Sequence, residues 1–326
     1  MPDGIHDGID VVVEQGKIVD LRGRTDWREK NIVDLGGNYL APGFVDLHVH
    51  GAVGRDSMEA SAEAFRAICD FHAGGGTTTL LLTTATAPIA AIVDVLHAVR
   101  NCRSSLKQIA GVHVEGPFIS KNKRGAQREE FICAPTPGSI AQLLKYADVI
   151  KRVTLAPELP GAIEAIAQFY ARKISVSGGH SDAWDEEARA AFAQGMRSVT
   201  HTFNCMSSAR RRGIYRVAGL LEFALSEPGI NCELIADGHH VSVTLMKMLY
   251  RAKGAAGICL VTDAIAGAGL AEGSHVSLYG RDCIVKDGVC VLAGAGECAG
   301  EGLGFCFYSA CWGDGGRGFA ADLVKC

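Results

Sequence analysis

A (β/α)8 TIM-like barrel is the fold this sequence predicts, and three observations predict it. Eight short runs rich in Val, Ile, Leu and Thr recur along the chain, amphipathic stretches of helical period lie between them, and metal-binding side chains stand at the ends of five of the runs. The chain length of 326 residues accommodates one large domain with a small one attached.

The N-terminal stretch, residues 1–40, reads differently from the rest. Val11, Val13, Ile18 and Val33 sit in short alternating runs punctuated by Gly16 and Gly23, the pattern of small β-strands. Residues 41–274 hold the eight barrel runs: 43–50, 77–85, 109–118, 153–158, 174–180, 198–204, 232–237 and 257–263. Helical periodicity marks 62–73, 89–99, 185–193 and 243–253. Residues 275–293 alternate again, with turns at Gly280 and Asp287-Gly288, and are expected to complete a small β-sandwich subdomain with the N-terminal strands. From residue 294 to 326 the periodicity dissolves into a tail with nine glycines and four cysteines, which offers no amphipathic helix to serve as the eighth of the barrel. An aberrant or truncated C-terminal part, from a frameshift or a mis-assigned terminus, is the expectation for it.

Composition excludes several classes. Apolar residues make up 48% and charged residues 21%, so a disordered chain is out. The net charge of -4, with no basic cluster interleaved with aromatics, gives no nucleic-acid footprint and points to a small-molecule substrate. No apolar run reaches membrane-spanning length, and the N-terminus has no signal-like character, which places the protein in the cytoplasm. Twelve cysteines without a C-x-x-C pair or a secretory context are no disulfide framework and no structural zinc site.

In such barrels the active site lies at the C-terminal ends of the strands, so the last residues of each run matter most. His48 and His50 close the first, Glu115 the third, His180 the fifth and Asp263 the eighth, and His201 lies in the sixth. Period-two alternation puts Asp46, His48 and His50 on one face, opposite Val45, Leu47 and Val49. A lone strand histidine is more often a hydrogen-bonded core residue than a ligand. Four histidines and two carboxylates at one end of a parallel barrel are different, because burying so much polarity without a cation is costly. Imidazole and carboxylate donors without cysteine favour zinc, with iron or manganese as substitutes.

Other polar residues carry weaker expectations. His113 shares parity with Glu115 but lies deeper, and supports the site or fills the core. His72 and His97 fall in helices and are structural. His239 and His240 follow the seventh run at the rim, where one of them can contact substrate. Arg210-Arg211-Arg212 is either a solvated patch or an anion clamp, the latter with Asn204 adding an amide donor. Gly74-Gly75-Gly76 precedes the second run and forms a turn.

The segments PGFVDLHVHG (42–51), GVHVEGPF (111–118), LAPE (155–158), SGGHSDA (177–183), THTFNCM (200–206), IADGHHV (235–241) and LVTDA (260–264) together resemble the amidohydrolase superfamily, and within it the N-acetylglucosamine-6-phosphate deacetylase family. The resemblance runs from about residue 10 to about residue 292. It implies that Glu115, His180 and His201 hold the principal metal, with Glu115 in place of the carbamylated lysine of many amidohydrolases. His48 and His50, with Glu115, would hold a second ion, making one or two divalent metals per subunit. It also implies that Asp263 is the catalytic base and then acid, that Asn204 and Arg212 grip a 6-phosphate, and that His240 contacts substrate, across the interface of a homodimer. Ala126, Gln127 and Cys205 complete the substrate-binding set. Gln127 departs from the family, which usually has a histidine there that helps polarise the substrate carbonyl; a glutamine can donate a hydrogen bond but carries no charge.

The implied reaction is hydrolysis of the acetamide of N-acetylglucosamine 6-phosphate to acetate and glucosamine 6-phosphate. Two alternatives keep parts of the pattern: another amidohydrolase, such as a cyclic amidase or amino-acid deacylase, without the phosphate clamp, and a non-catalytic sugar-phosphate binding protein.

Overall fold

The computed structural model describes residues 4–23 and 31–293, and the tail from 294 lies outside the described residues, together with the expectations attached to it. The chain divides into two compact units, one ending at Gly43 and the other starting at Phe44.

The first unit contains one antiparallel ribbon, Ile9–Glu14 against Lys17–Gly23. Gln15 and Gly16 both take left-handed backbone, with φ of 50° and 75°, as the tight turn of a two-residue hairpin requires.

The second unit is built on eight parallel strands: Phe44–Val49, Thr77–Thr84, Ile109–Glu115, Ile150–Leu155, Ser175–Gly178, Met196–Val199, Asn231–Ile235 and Ile258–Val261. Each hydrogen-bonds to the next in chain order, from the first to the eighth. Between the first and the eighth there is no ladder among the described residues. Beyond their ends they meet through a parallel bridge of Val49 with Ala264, an Asp263 N–H donated to the His48 carbonyl at 2.9 Å, and a His50 N–H donated to the Ala264 carbonyl at 2.8 Å. These contacts draw the sheet round into a nearly closed barrel.

Seven α-helices follow the strands among the described residues: α1 (Ala62–Gly74), α2 (Ile89–Cys102), α3 (Pro137–Leu144), α4 (Ala162–Ala171), α5 (Asp185–Gln194), α6 (Leu220–Ser226) and α7 (Val243–Lys253). Their starts follow local chemistry. Ser61 and Ser242 cap α1 and α7 by accepting backbone N–H groups, Thr136 caps α3 with Pro137 at its first position, and α5 begins with three acids that complement its dipole. In α2 the residues Ile92, Val95, Leu96 and Val99 form the buried stripe, and each contributes roughly 1.5–3 kcal/mol by leaving water.

After the eighth strand, His275–Leu278, Arg281–Lys286 and Val289–Leu292 form a three-stranded antiparallel sheet. Its Val276, Leu278, Cys283, Val285 and Cys290 pack with Ile265, Ala266 and Ala126 in a second apolar cluster. The N-terminal ribbon belongs to the other unit, and the joining of the two stretches into one subdomain stands as a proposal.

Strand ends differ from the sequence reading in one instructive way. The fifth strand stops at Gly178, the sixth at Val199 and the eighth at Val261, two residues short of His180, His201 and Asp263. All three residues have left-handed backbone, with φ of 47°, 29° and 50°. A non-glycine residue in that region cannot continue a strand, and holding it there costs about 1–3 kcal/mol.

Candidate metal centre

The centre is assembled at the C-terminal mouth of the barrel by two kinds of local structure. His48 is in the first strand and His50 directly follows it, so the pleat alone aims both inward; Asp46, His48 and His50 are all buried. Glu115, the last residue of the third strand, projects inward at the centre. His180, His201 and Asp263 instead reach it from the left-handed turns just beyond their strands.

The loop carrying His180 is tied to Glu158, whose carboxylate accepts the Ser181 hydroxyl at 2.7 Å and the Asp182 N–H at 2.6 Å. At Gly179 a Cβ would lie 2.7 Å from the Cβ of Thr200 and 2.9 Å from Cγ2 of Thr154, so only glycine fits between the neighbouring strands there.

Glu115 is the hub. Its Oε1 lies 3.3 Å from Nε2 of His180, 3.3 Å from Nε2 of His201 and 3.5 Å from Nε2 of His48; its Oε2 lies 3.3 Å from Nε2 of His50. Oδ1 of Asp263 is 3.2 Å from Nε2 of His48 and 3.4 Å from Nε2 of His50. The paired imidazoles face one another, His180 with His201 at 3.1 Å and His48 with His50 at 3.1 Å between Nε2 atoms. Two donor sets result, Glu115 with His180 and His201, and His48 with His50 and Asp263, each with its ligand atoms within 4.8 Å of one another.

These spacings fit an ion. Four donors held tetrahedrally at about 2.0–2.1 Å from zinc stand about 3.3–3.4 Å from one another. Oε1 of Glu115 and Oδ1 of Asp263 are buried without a hydrogen-bond partner, an arrangement that is costly unless a cation answers them.

Protonation behaviour follows from the same crowding. Burial alone would push His50 down, but the neighbouring carboxylates of Asp263 and Glu115 hold it up at about 9. His48 is likewise raised against burial, by Asp263 and Glu115, and His180 is raised chiefly by Glu115. The reciprocal effect keeps Glu115 and Asp263 low, despite burial, so both are carboxylates at neutral pH.

Behind the ligands lies a second layer. Nδ1 of His180 pairs with the Lys123 carbonyl at 2.8 Å and Nδ1 of His201 with the Asn204 carbonyl at 3.2 Å; both contacts require N–H at Nδ1 and leave the Nε2 lone pair for a metal. Nδ1 of His48 meets Oε2 of Glu233 at 3.2 Å, the same oxygen accepts the His201 N–H at 3.1 Å, and Arg152 pairs with Oε1 of Glu233 at 2.8 Å. Sequence reasoning missed Glu233 and Arg152. The available signal was an acid inside the apolar seventh run and an arginine just ahead of the fourth, in a strand that starts three residues earlier than the run. His113 stands edge-on to His48 with ring centroids 4.5 Å apart and bonds Thr154 and Thr83, as a supporting core residue.

The expected substrate residues are placed variously. The side-chain nitrogen of Asn204 is buried with no partner, beside the His180/His201 set. Arg212 is exposed, ion-paired with Glu186 at 2.5 Å and stacked on Trp184, while Arg210 pairs with Asp182 and covers the same ring. Nδ1 of His240 lies 2.5 Å from Asp237. Cys205 packs against Gly125, where a Cβ would come within 2.7 Å of its sulfur. Ala126 is buried in the second apolar cluster, so any contact it makes with a substrate would come from its backbone. Gln127 is turned inward: its Oε1 accepts the Thr86 N–H at 2.7 Å and its Nε2 donates to Oε2 of Glu115 at 2.8 Å.

Comparison with known proteins places this arrangement. The amidohydrolase family profile matches residues 39–300. The N-acetylglucosamine-6-phosphate deacetylase of Vibrio furnissii is 32% identical over 303 residues, covering 91% of this chain and 74% of that protein. The N-acetylgalactosamine-6-phosphate deacetylase of Escherichia coli O157:H7 is 30% identical over 277 residues, covering 84% of this chain and 72% of that protein. The crystal structure of N-acetylglucosamine-6-phosphate deacetylase from Pasteurella multocida superposes with a TM-score of 0.83 at 32% identity, covering 94% of this chain and 78% of that one.

Proposed function

The chain belongs to the amidohydrolase family, and we propose that it is the N-acetylglucosamine-6-phosphate deacetylase of an amino-sugar pathway, a metal-dependent hydrolase of a carbon-nitrogen bond. The observation that carries the reading is the convergence of four imidazoles and the Asp263 carboxylate around Glu115, with two buried carboxylate oxygens that no hydrogen bond satisfies. Glu115, His180 and His201 would hold the principal ion, and His48, His50 and Asp263 provide a second donor set. The donor types favour zinc.

A bound divalent metal supplies Lewis acidity, polarising an acetyl carbonyl and making water a usable nucleophile at neutral pH. The rest of the chemistry falls to the chain. Asp263, ionised and facing the centre, takes the proton of the attacking water at Oδ1 as the water oxygen bonds to the acetyl carbon. The same carboxyl then returns that proton to the sugar nitrogen as the C–N bond breaks, releasing acetate and the amine. Asn204 and Arg212 would bind the 6-phosphate, and this remote binding energy orients the acetamide. The unpartnered Asn204 amide supports that role; Arg212 would exchange Glu186 for phosphate or share itself between them.

The test couples metal analysis of the purified protein to acetate release from N-acetylglucosamine 6-phosphate, with unphosphorylated N-acetylglucosamine as control. Turnover of both sugars alike would remove the phosphate clamp, and bound metal with no acetate release would leave only a binding protein. Arg212→Ala should raise KM for the phosphorylated sugar by about 10–100-fold, the worth of a charge-assisted contact, with a smaller change in kcat. Because one relative is named for the galactosamine epimer, the same assay with N-acetylgalactosamine 6-phosphate decides the preference at C4.

The cytoplasm is the proposed compartment. Every cysteine among the described residues is a free thiol, as a reducing compartment requires, and no described helix is long and apolar enough to cross a membrane. The homodimer implied by the resemblance belongs to the same proposal, and sedimentation of the purified protein tests it.

A further inference from the structure

Glu115 belongs to the His180/His201 set and also stands beside His48 and His50 of the other, yet its two oxygens are treated differently. Oε1 faces His180, His201 and His48 and accepts no hydrogen bond. Oε2 faces His50 at 3.3 Å and also accepts the amide of Gln127 at 2.8 Å. The Gln127 amide cannot turn away, because its oxygen is held by the Thr86 N–H at 2.7 Å and the side chain is only 3% exposed. Those two bonds also settle which end of the amide is nitrogen.

We propose that Gln127 is a positioning residue that commits Glu115 to the His180/His201 pocket and makes the His48/His50/Asp263 pocket the weaker of the two. The inference rests on the reading of both sets as metal pockets. An N–H donated to Oε2 draws charge away from the oxygen that faces His50, so that oxygen would be a poorer donor to a cation. Nothing competes in this way at Oε1. The bond also fixes the carboxylate plane, so Oε1 is delivered to His180 and His201 without further ordering. Partners behind a ligand are typically worth 10–100-fold in metal affinity.

The experiment is a titration of the metal-stripped full chain with Zn2+ against a chromophoric chelator, comparing the wild-type protein with Gln127→Met, which keeps bulk without a donor. Gln127→Met should weaken the first Zn2+ by about tenfold or more and leave the second unchanged or tighter. Repeating the titration in a His50→Ala background identifies the His180/His201 pocket as the one that loses affinity. Should Gln127→Met not fold by circular dichroism, Gln127→Asn carries the same test, since its shorter chain draws the donor back from Glu115. An unchanged first affinity, or equal weakening of both, overturns the inference. A wild-type chain that takes up no Zn2+ defeats instead the reading of the centre itself, so the two failures are distinct.

Discussion

The two histidine pairs stand about one carboxylate, Glu115, but are presented by opposite means. His48 and His50 point inward because a strand alternates, and their backbone is relaxed. His180 and His201 point inward because the chain leaves its strand and turns left-handed, with φ of 47° and 29°. Support differs as well. Both imidazoles of the strained pocket are anchored by backbone carbonyls, whereas in the relaxed pocket His48 leans on a buried carboxylate and Nδ1 of His50 has no hydrogen-bond partner. The strain therefore accompanies anchoring: the histidine pair that costs the backbone more is the one whose Nδ1 atoms are both held by backbone carbonyls.

The largest test of this difference is Glu115→Ala, which removes the carboxylate that both histidine pairs face. Zinc uptake should fall by more than about a hundredfold and turnover should go with it, measured by metal analysis and acetate release. If one pocket survived intact, the shared hub would be wrong.

Asp263→Asn separates the pockets. It should lower kcat by about 10²–10⁴, the usual worth of a general acid-base, while the His180/His201 pocket still takes its ion. Loss of metal from that pocket in the same variant would mean that the two are not separable.

Acidity should weaken both pockets, since His180 is raised as well as His48, and His50 is the case whose pH range can be stated. Its folded pKa of about 9 lies above the ordinary 6.5, so below about 9 an ion entering the relaxed pocket must expel that proton. Affinity should then fall by at least about tenfold for each pH unit below 9, more where His48 must give up its proton too, checked by proton release in buffers of different ionisation enthalpy. In the metal-free chain the same shift contributes stability that is fully present below pH 6.5 and is lost as the pH rises through 9. Thermal melting of the stripped protein across that range reads it.

The smallest expected effect is that of Glu233→Gln. It should weaken the relaxed pocket by about tenfold by loosening His48, and lower the melting temperature because Arg152 loses its buried partner. Greater weakening in the His180/His201 pocket would move Glu233 to the other side of the comparison, through its bond to the His201 N–H.

Much of this was legible in the residues, for physical reasons that also mark where legibility ended. Period-two alternation aims His48 and His50 from sequence alone, and helical stripes such as Ile92, Val95, Leu96 and Val99 announce the outer layer. His201 was expected inside its strand, because nothing in a composition signals that a histidine will take φ of 29°. Glu233 and Arg152 were invisible as a pair, since their partnership spans three strands and depends on the barrel closing. Gln127 was expected to face substrate, by likeness to a histidine; its actual bonds depend on the Thr86 N–H, a backbone group that no side-chain pattern encodes.

The sparse join between the first and eighth strands gives the relaxed pocket a second meaning. His48 and His50 come from one lip of that seam and Asp263 from the other; among the described residues the lips are joined by the Val49–Ala264 bridge, a few backbone hydrogen bonds and the bonds Thr262 donates to the Asp46 carboxylate. A cation gripped by all three would act as a clasp on the cylinder, so stripping it should speed amide hydrogen exchange along these two edges before any other part of the wall loosens.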